Sequence, residues 1–514
     1  MARKKLFAAI DVGSHEIQMK IAELDKDEPP RIVEEIRRTL AIGVDTYMSG
    51  KISQPLIEEC IKVLTGFTEH MQMYRIGACR AVATSAFREA QNRVYALEQI
   101  RRQCGLEIEV LSNAEERSSH ILAAAALMPD FTELIKDGTL LVDIGAGSIQ
   151  VTVYDKGEFI FSQNMLLGSL RIRELLADLE RRAADFGELM EEYISSDLDN
   201  YHLLEPKGIS YKNLIILGGE MIQLKKLAGK DPGQPAFLTE KQFGQLYQQL
   251  LNTRPIDLAL DKDIPAEHAS LMLPAAMIIR KFISFTRASG LHLPAVSLCD
   301  GLLAEFSRDK GDFSPSHDQA RDIISACRYL AKRFKTDRKH NEFVEKVTLQ
   351  LFDETSRLHN LPERCRLLLQ AAAILHDSGK YINMSKHNIR SYNLIMATEI
   401  IGLSRSEHDI VAWTARFHSG KPGLEDRGYL ELGAADQLVI AKLSALLRLG
   451  DALDTGHKQK IGTLAVSLEA AELVISVTTS QDITLEIWTI EKKGSLFEEI
   501  FGFKPKIRIR RQQK

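Results

Sequence analysis

Asp11 and Asp143 each feed a short glycine turn, in Ile10-Asp11-Val12-Gly13-Ser14 and in Val142-Asp143-Ile144-Gly145-Ala146-Gly147-Ser148, about 130 residues apart. Each turn follows a short apolar run, so each reads as a strand delivering an acid into a tight bend. Glycine lets the backbone come close to a phosphate and aim N–H groups at it, while Ser14 and Ser148 add hydroxyls. The aspartates can hold a hydrated divalent cation or orient water against phosphorus. Two such turns point to a duplicated α/β fold with a phosphate cleft between its halves.

Further candidates lie between and after the turns. Ala83-Thr84-Ser85-Ala86-Phe87-Arg88 places two hydroxyls and a guanidinium at a strand end, where Arg88 can grip a phosphate through two nitrogens. Glu115-Glu116 opens a helix after Ser112-Asn113, where negative charge also suits the helix dipole. Arg171 follows Gly168, and Gly218-Gly219 ends another apolar run.

These residues need elements to hold them. Strands are expected over 6–12 and 17–23 as a hairpin, and over 76–83, 140–143, 150–154, 159–166 and 213–217. Helices are expected over 54–73, 114–128 and 170–189. The pattern predicts two units, 1–128 and 129–307, each with a mixed, largely parallel sheet under covering helices. From about residue 314 the period becomes helical, with segments over 318–334, 341–359 and 362–375, giving an all-α part over 314–460. Alternation over 464–468, 473–478 and 483–490 predicts a short β appendix within 461–514, ending in a basic tail over 504–514.

Bulk properties exclude several classes. The 514 residues carry a net charge of -4 and are 45% hydrophobic, so no global field attracts nucleic acid or an anionic membrane. The longest apolar stretch, 121–128, is too short to span a bilayer, and the basic start at Met1 runs into Asp11 too soon for a signal peptide. Cys60, Cys79, Cys104, Cys299, Cys327 and Cys365 show no paired spacing, as expected of reduced thiols in the cytoplasm.

Taken together, segments 10–14, 83–92, 111–117, 142–150, 167–171 and 217–219 fall in the order and spacing of the exopolyphosphatase/guanosine-pentaphosphate phosphohydrolase family, which the chain resembles over nearly its whole length. The resemblance implies an actin-like, ribonuclease-H-like fold. It implies Glu116 as general base, with Glu115 as the fallback, and Asp11 and Asp143 as Mg²⁺ site residues. Arg88, Arg171, Ser14, Ser148 and the N–H groups around Gly145 and Gly147 would hold phosphate. Three positions depart from the family pattern. His15-Glu16 stand where Asn-Ser is usual, Gln150 replaces an acid, and Glu220 replaces a small hydroxyl residue.

The helical part carries its own chemistry. His340, His376-Asp377, His387, His418 and Asp451 occur in an order that resembles the HD phosphohydrolase superfamily. There the first His, the His-Asp pair and the last Asp bind one metal, which here implies His340, His376, Asp377 and Asp451, with His387 and His418 for a second. Imidazole and carboxylate together suit Mn²⁺, Fe²⁺ or Zn²⁺. His317, His359, His408 and His457 read as polar surface or capping residues.

The resulting expectation is a cytoplasmic, homodimeric, Mg²⁺-dependent hydrolase of inorganic polyphosphate or guanosine penta- or tetraphosphate. The departures leave open a sensor that binds these anions while any hydrolysis belongs to the HD part. A sugar- or acetate-kinase activity fits Glu116 and Arg88 less well.

Overall fold

A computed structural model describes residues 5–510, with the exception of 181, 263, 311, 312, 314, 316 and 422. The boundary expected at residue 314, the first four residues and tail residues 511–514 lie outside the described residues. Two compact units, Met1–Arg321 and Asp322–Lys514, are distinguished by their contacts.

The first unit holds two sheets of related plan. In the first, β1 (Lys5–Val12), β2 (Glu16–Leu24), β3 (Arg31–Thr39), β4 (Ala78–Ala83) and β5 (Ile108–Val110) are ordered β3-β2-β1-β4-β5. In the second, β6 (Thr139–Ile144), β7 (Ile149–Asp155), β8 (Glu158–Met165), β9 (Asn213–Leu217), β10 (Ala236–Thr239) and β11 (Gly290–Leu293) are ordered β10-β11-β9-β6-β7-β8. In each lobe the strand that carries the aspartate has an antiparallel partner after its turn and a parallel partner on the other side. The registers match. Asp11 lies opposite Gln18 and Asp143 opposite Gln150. Gly13 N donates to Glu16 O at 3.0 Å, and Gly145 N donates to Ser148 O at the same 3.0 Å. The duplication seen in the glycine turns therefore extends through both hairpins.

The sheets are less parallel than expected, because β2, β3, β7 and β8 all pair antiparallel. Strand β3 (Arg-Ile-Val-Glu-Glu-Ile-Arg-Arg-Thr) was not expected. It is an edge strand with mostly exposed side chains, so its sequence is polar. The helix expected over 170–189 is two helices, Ser169–Glu180 and Phe186–Leu204, the second capped by Asp185 accepting from Glu188 N. The unit boundary at 307 does not follow the packing. Leu298, Cys299, Leu302 and Leu303, from the Leu298–Asp309 helix, share a core with Phe7, Ala9, Ala22 and Val82 of the first sheet.

In the second unit, helices Arg338–Glu354, Glu363–Leu375, Arg405–Phe417 and Ala434–Ala452 pack around one apolar core. A sheet of β12 (Leu464–Glu469), β13 (Glu472–Thr478) and β14 (Lys504–Arg510), ordered β12-β13-β14, completes this unit, so it is helical with a small β region. Segment 483–490 is not a strand. Ile483, Ile487 and Ile490 recur at helical spacing, and the chain forms the Thr484–Lys493 helix. Part of the basic tail is strand β14, parallel to β13. Ile475, Val477, Ile490 and Phe497 belong to the same apolar core as the helices, so the appendix does not have a core of its own. Among the described residues no helix is long and apolar enough to cross a membrane, and all six cysteines are free thiols.

Candidate active site and candidate metal centre

In the first unit a cavity of about 690 Å³ is lined by both glycine turns, the Gly218-Gly219 turn and one face of the Asn113–Leu127 helix. Asp11, Glu116, Asp143 and Gly145 line it. Glu115 does not act there. Its carboxylate accepts from Ser112 N at 2.9 Å, while Ser112 Oγ accepts from Glu115 N at 3.2 Å, closing a capping box. The fallback base is thus a helix cap.

Arg88 sits behind the base. Its Nη1 donates to Leu111 O at 2.7 Å and to Glu116 Oε2 at 2.9 Å. The guanidinium expected to grip phosphate instead fixes the carboxylate of Glu116. Arg171 is also diverted. It donates to both carboxylate oxygens of Glu89 at 2.6 and 2.8 Å and to Gly147 O at 2.6 Å, and it stacks 3.9 Å from the centre of the Tyr47 ring. It joins the two lobes rather than meeting the cavity.

Ser14 takes part in the same junction. Its Oγ lies 2.7 Å from Ser85 Oγ and accepts from Tyr47 O–H at 2.8 Å and from Ala86 N at 3.0 Å. Gly147 allows Tyr47 to reach between the turns, since a Cβ there would lie 1.9 Å from the Tyr47 hydroxyl. Gly218 is required for a different reason. Its φ is +126° and a Cβ would lie 2.2 Å from Ile144 O, so the third turn presses against β6. Ser148 is buried beside Gly147.

The sequence reading overlooked His120. It lies one helical turn after Glu116, so both side chains share a face of the helix, and it lines the cavity. That four-residue spacing was the available signal. His120 Nδ1 is 2.5 Å from Asp143 Oδ2. Burial opposes its charge, but Asp143 outweighs burial and raises its pKa to about 9. Burial, reinforced by the negative charge of Glu116, pushes Asp11 up to about 7. One oxygen of Asp11 is buried without a partner, and the oxygen donors of Asp11, Glu116 and Asp143 suit a hard divalent cation.

The three departures from the family pattern face this region. His15 packs edge-on against His268 with ring centres 5.0 Å apart, and burial lowers its pKa to about 4. Gln150 is 2% exposed, with Oε1 unpartnered. Glu220 is buried, accepts from Ser169 Oγ at 3.2 Å and is pushed up to about 7 by burial.

In the second unit the ends of several helices converge. His376 and His418 each follow a helix, and each donates Nδ1–H to a carbonyl three residues back, Ala373 O at 2.7 Å and Ala415 O at 2.6 Å. That bond turns Nε2 inward as a ligand atom. His340 Nε2 is 3.4 Å from Asp451 Oδ1 and 3.7 Å from Asp377 Oδ2, and Asp454 holds His340 Nδ1 at 2.8 Å. Asp377 Oδ1 faces His387 at 3.4 Å and His418 at 3.7 Å.

Three donor sets have ligand atoms within 4.8 Å of one another: His340, His376 and Asp451; His376, Asp377 and His418; and His340, Asp377 and His457. His457 is therefore not only a surface residue, and its ring stacks 3.7 Å from that of His340. His340 Nε2, His376 Nε2 and Asp377 Oδ1 are buried without hydrogen-bond partners. Buried polar atoms left unpaired are costly, and their geometry fits a borderline metal ion. Despite burial, His376 and His418 hold Asp377 below the usual carboxylate range, and Lys493 does the same for Asp451.

Two sheet lobes meeting over paired aspartate-glycine turns define an actin-like α/β protein. Residues 20–308 match the Ppx/GppA phosphatase family and residues 324–491 match domain III of that family, and the chain belongs to it. The guanosine-5'-triphosphate,3'-diphosphate pyrophosphatase of Vibrio vulnificus is 21% identical over 451 residues, covering 86% of each chain. That of Vibrio atlanticus is 22% identical, covering 93% of this chain and 97% of its own. Among solved structures, an exopolyphosphatase from Cytophaga hutchinsonii is 19% identical with a TM-score of 0.52, over 59% of this chain and 98% of that one. This last likeness concerns the fold.

Proposed function

We propose that the chain is a phosphoanhydride hydrolase that releases terminal phosphate from inorganic polyphosphate or from guanosine pentaphosphate. The observation that carries the reading is the convergence of Asp11, Glu116 and Asp143 on one cavity between paired glycine turns. The chain's family and the names of its relatives supply the substrate class.

In this reading Glu116, held by Arg88, accepts a proton from water as that water attacks the terminal phosphorus. The anhydride P–O bond then breaks and orthophosphate leaves. Asp11 and Asp143 hold Mg²⁺, which would neutralise charge on the phosphate. Backbone N–H groups of the second turn, from Gly145 to Ser148, contact its oxygens. The test is phosphate release from long-chain polyphosphate and from guanosine pentaphosphate, with and without Mg²⁺. Release that requires Mg²⁺ and Glu116 is expected; no release from either compound overturns the reading.

The reading extends to the second unit as an HD-type metal centre. His340, His376, Asp377 and Asp451 hold Mn²⁺, Fe²⁺ or Zn²⁺, and His387 and His418 are available to a second ion. The orphaned buried atoms of His340, His376 and Asp377 support it. A cytoplasmic homodimer completes the proposal, and light scattering of the purified chain tests the oligomer.

A further inference from the structure

The floor of the helical centre is formed by His340, His376 and Asp377, which are essentially inaccessible, and its rim carries two ammonium groups. Lys380 Nζ is 2.5 Å from Asp377 Oδ2. Lys493 Nζ bonds to Asp451 Oδ2, the oxygen that points away from His340 and His376. Lys493 comes from the C-terminal α/β segment as the last residue of the Thr484–Lys493 helix.

Its placement is built in. Arg448, 3% exposed and one helical turn before Asp451, donates from Nε to Lys493 O at 3.3 Å. The same guanidinium donates to Phe417 O at 2.8 Å and Gly420 O at 3.0 Å, on either side of His418. One buried arginine thus ties the Lys493 backbone to the strand of chain that carries His418.

Charge then specifies the ligand. Two lysines balance the two aspartates, and a divalent cation on the histidine side adds two positive charges. A dianion at the rim restores neutrality, and a phosphate group has that charge together with oxygens for both ammonium groups. We propose that Lys493 anchors a phosphate group over the metal of the helical centre, so that the C-terminal segment completes a second anion site. The proposal rests on the metal-centre reading above. A free orthophosphate and the phosphate of a nucleotide share this chemistry.

The test uses the full-length chain loaded with Co²⁺, whose visible band reports imidazole-ligated metal and not an all-oxygen site. Inorganic phosphate and 5′-GMP are titrated separately into wild type, Lys493→Met and Lys493→Arg, and bound cobalt is counted in each. The expectation is that phosphate shifts the wild-type band. Lys493→Met should keep its cobalt but bind phosphate about tenfold or more weakly, the loss of one charge-assisted contact. Lys493→Arg should stay close to wild type. A shift with 5′-GMP at lower concentration than with orthophosphate assigns the site to nucleotides, and the reverse assigns it to free phosphate. Absence of an imidazole-ligated cobalt band in wild type overturns both the metal centre and the inference. A band indifferent to both anions, or unchanged affinity in Lys493→Met, overturns the inference and leaves the metal centre standing. Cobalt loss in both variants makes Lys493 structural and overturns the inference as well.

Discussion

Arg88 Nη1 lies 2.9 Å from Glu116 Oε2, and the same guanidinium is fixed by the Leu111 carbonyl. The arginine holds the base in place rather than meeting substrate. Replacing Glu116 by Gln keeps the shape and removes proton acceptance. Phosphate release should fall by a factor of about 10² to 10⁴, with KM little altered. Turnover equal to wild type would remove Glu116 from the mechanism.

Arg88→Ala tests the positioning role separately. If the arginine only orients Glu116, kcat should fall by about tenfold or more while KM for polyanions changes little. A raised KM with unchanged kcat would instead return Arg88 to the substrate.

Gln150 lies opposite Asp143, as Gln18 lies opposite Asp11, and its Oε1 lacks a partner. Gln150→Glu adds a carboxylate beside the Mg²⁺ site. It should lower the Mg²⁺ concentration needed for half-maximal activity and raise the rate, as read from a metal titration. A loss of activity would show a site adapted to the amide.

His120 gives the first unit a pH dependence. Its folded pKa of about 9 lies above its ordinary 6.5, so the folded state binds the extra proton between those values. The stabilisation is fully present below pH 6.5 and is lost as pH rises through about 9. In chelator, the difference in Tm between wild type and His120→Gln should be largest below pH 6.5 and shrink towards pH 9.5. A difference independent of pH would mean that the pair with Asp143 carries no charge.

For the helical centre, His376→Ala combined with Asp377→Ala should abolish bound transition metal, as measured by plasma spectrometry. Chelator should lower the melting temperature of wild type and not that of the double variant. A metal present at 100 times its Kd stabilises by about 2.7 kcal/mol. Metal-free wild type with a chelator-insensitive melt would leave these residues as core polar groups.

The catalytic strands were legible because Asp11 and Asp143 end buried apolar runs followed by glycine, a local signal. Strand β3 was not, because an edge strand with exposed side chains lacks apolar alternation. The helix at Thr484–Lys493 was misread because four apolar positions in eight residues fit either period until the sheet beside it is known. At the site, residue types were visible but their partners were not. Arg88, Arg171 and Ser14 are engaged by Glu116, Glu89 and Tyr47, residues 28 to 82 positions away. Such pairings depend on tertiary packing. Lys493 belongs to the same class, delivered from 42 residues beyond Asp451.

Tyr47, wedged against Gly147 and bonded to Ser14, also bears on the traffic of a long substrate. The turns are in contact through its hydroxyl, so a linear polyanion has no passage between them and the cleft is entered and left by the same mouth. Each orthophosphate must escape past the chain it was cut from. Hydrolysis of long polyphosphate should therefore be distributive, with intermediate lengths accumulating on a gel, and a Tyr47→Ala enzyme should shift towards degrading one chain to completion before starting another.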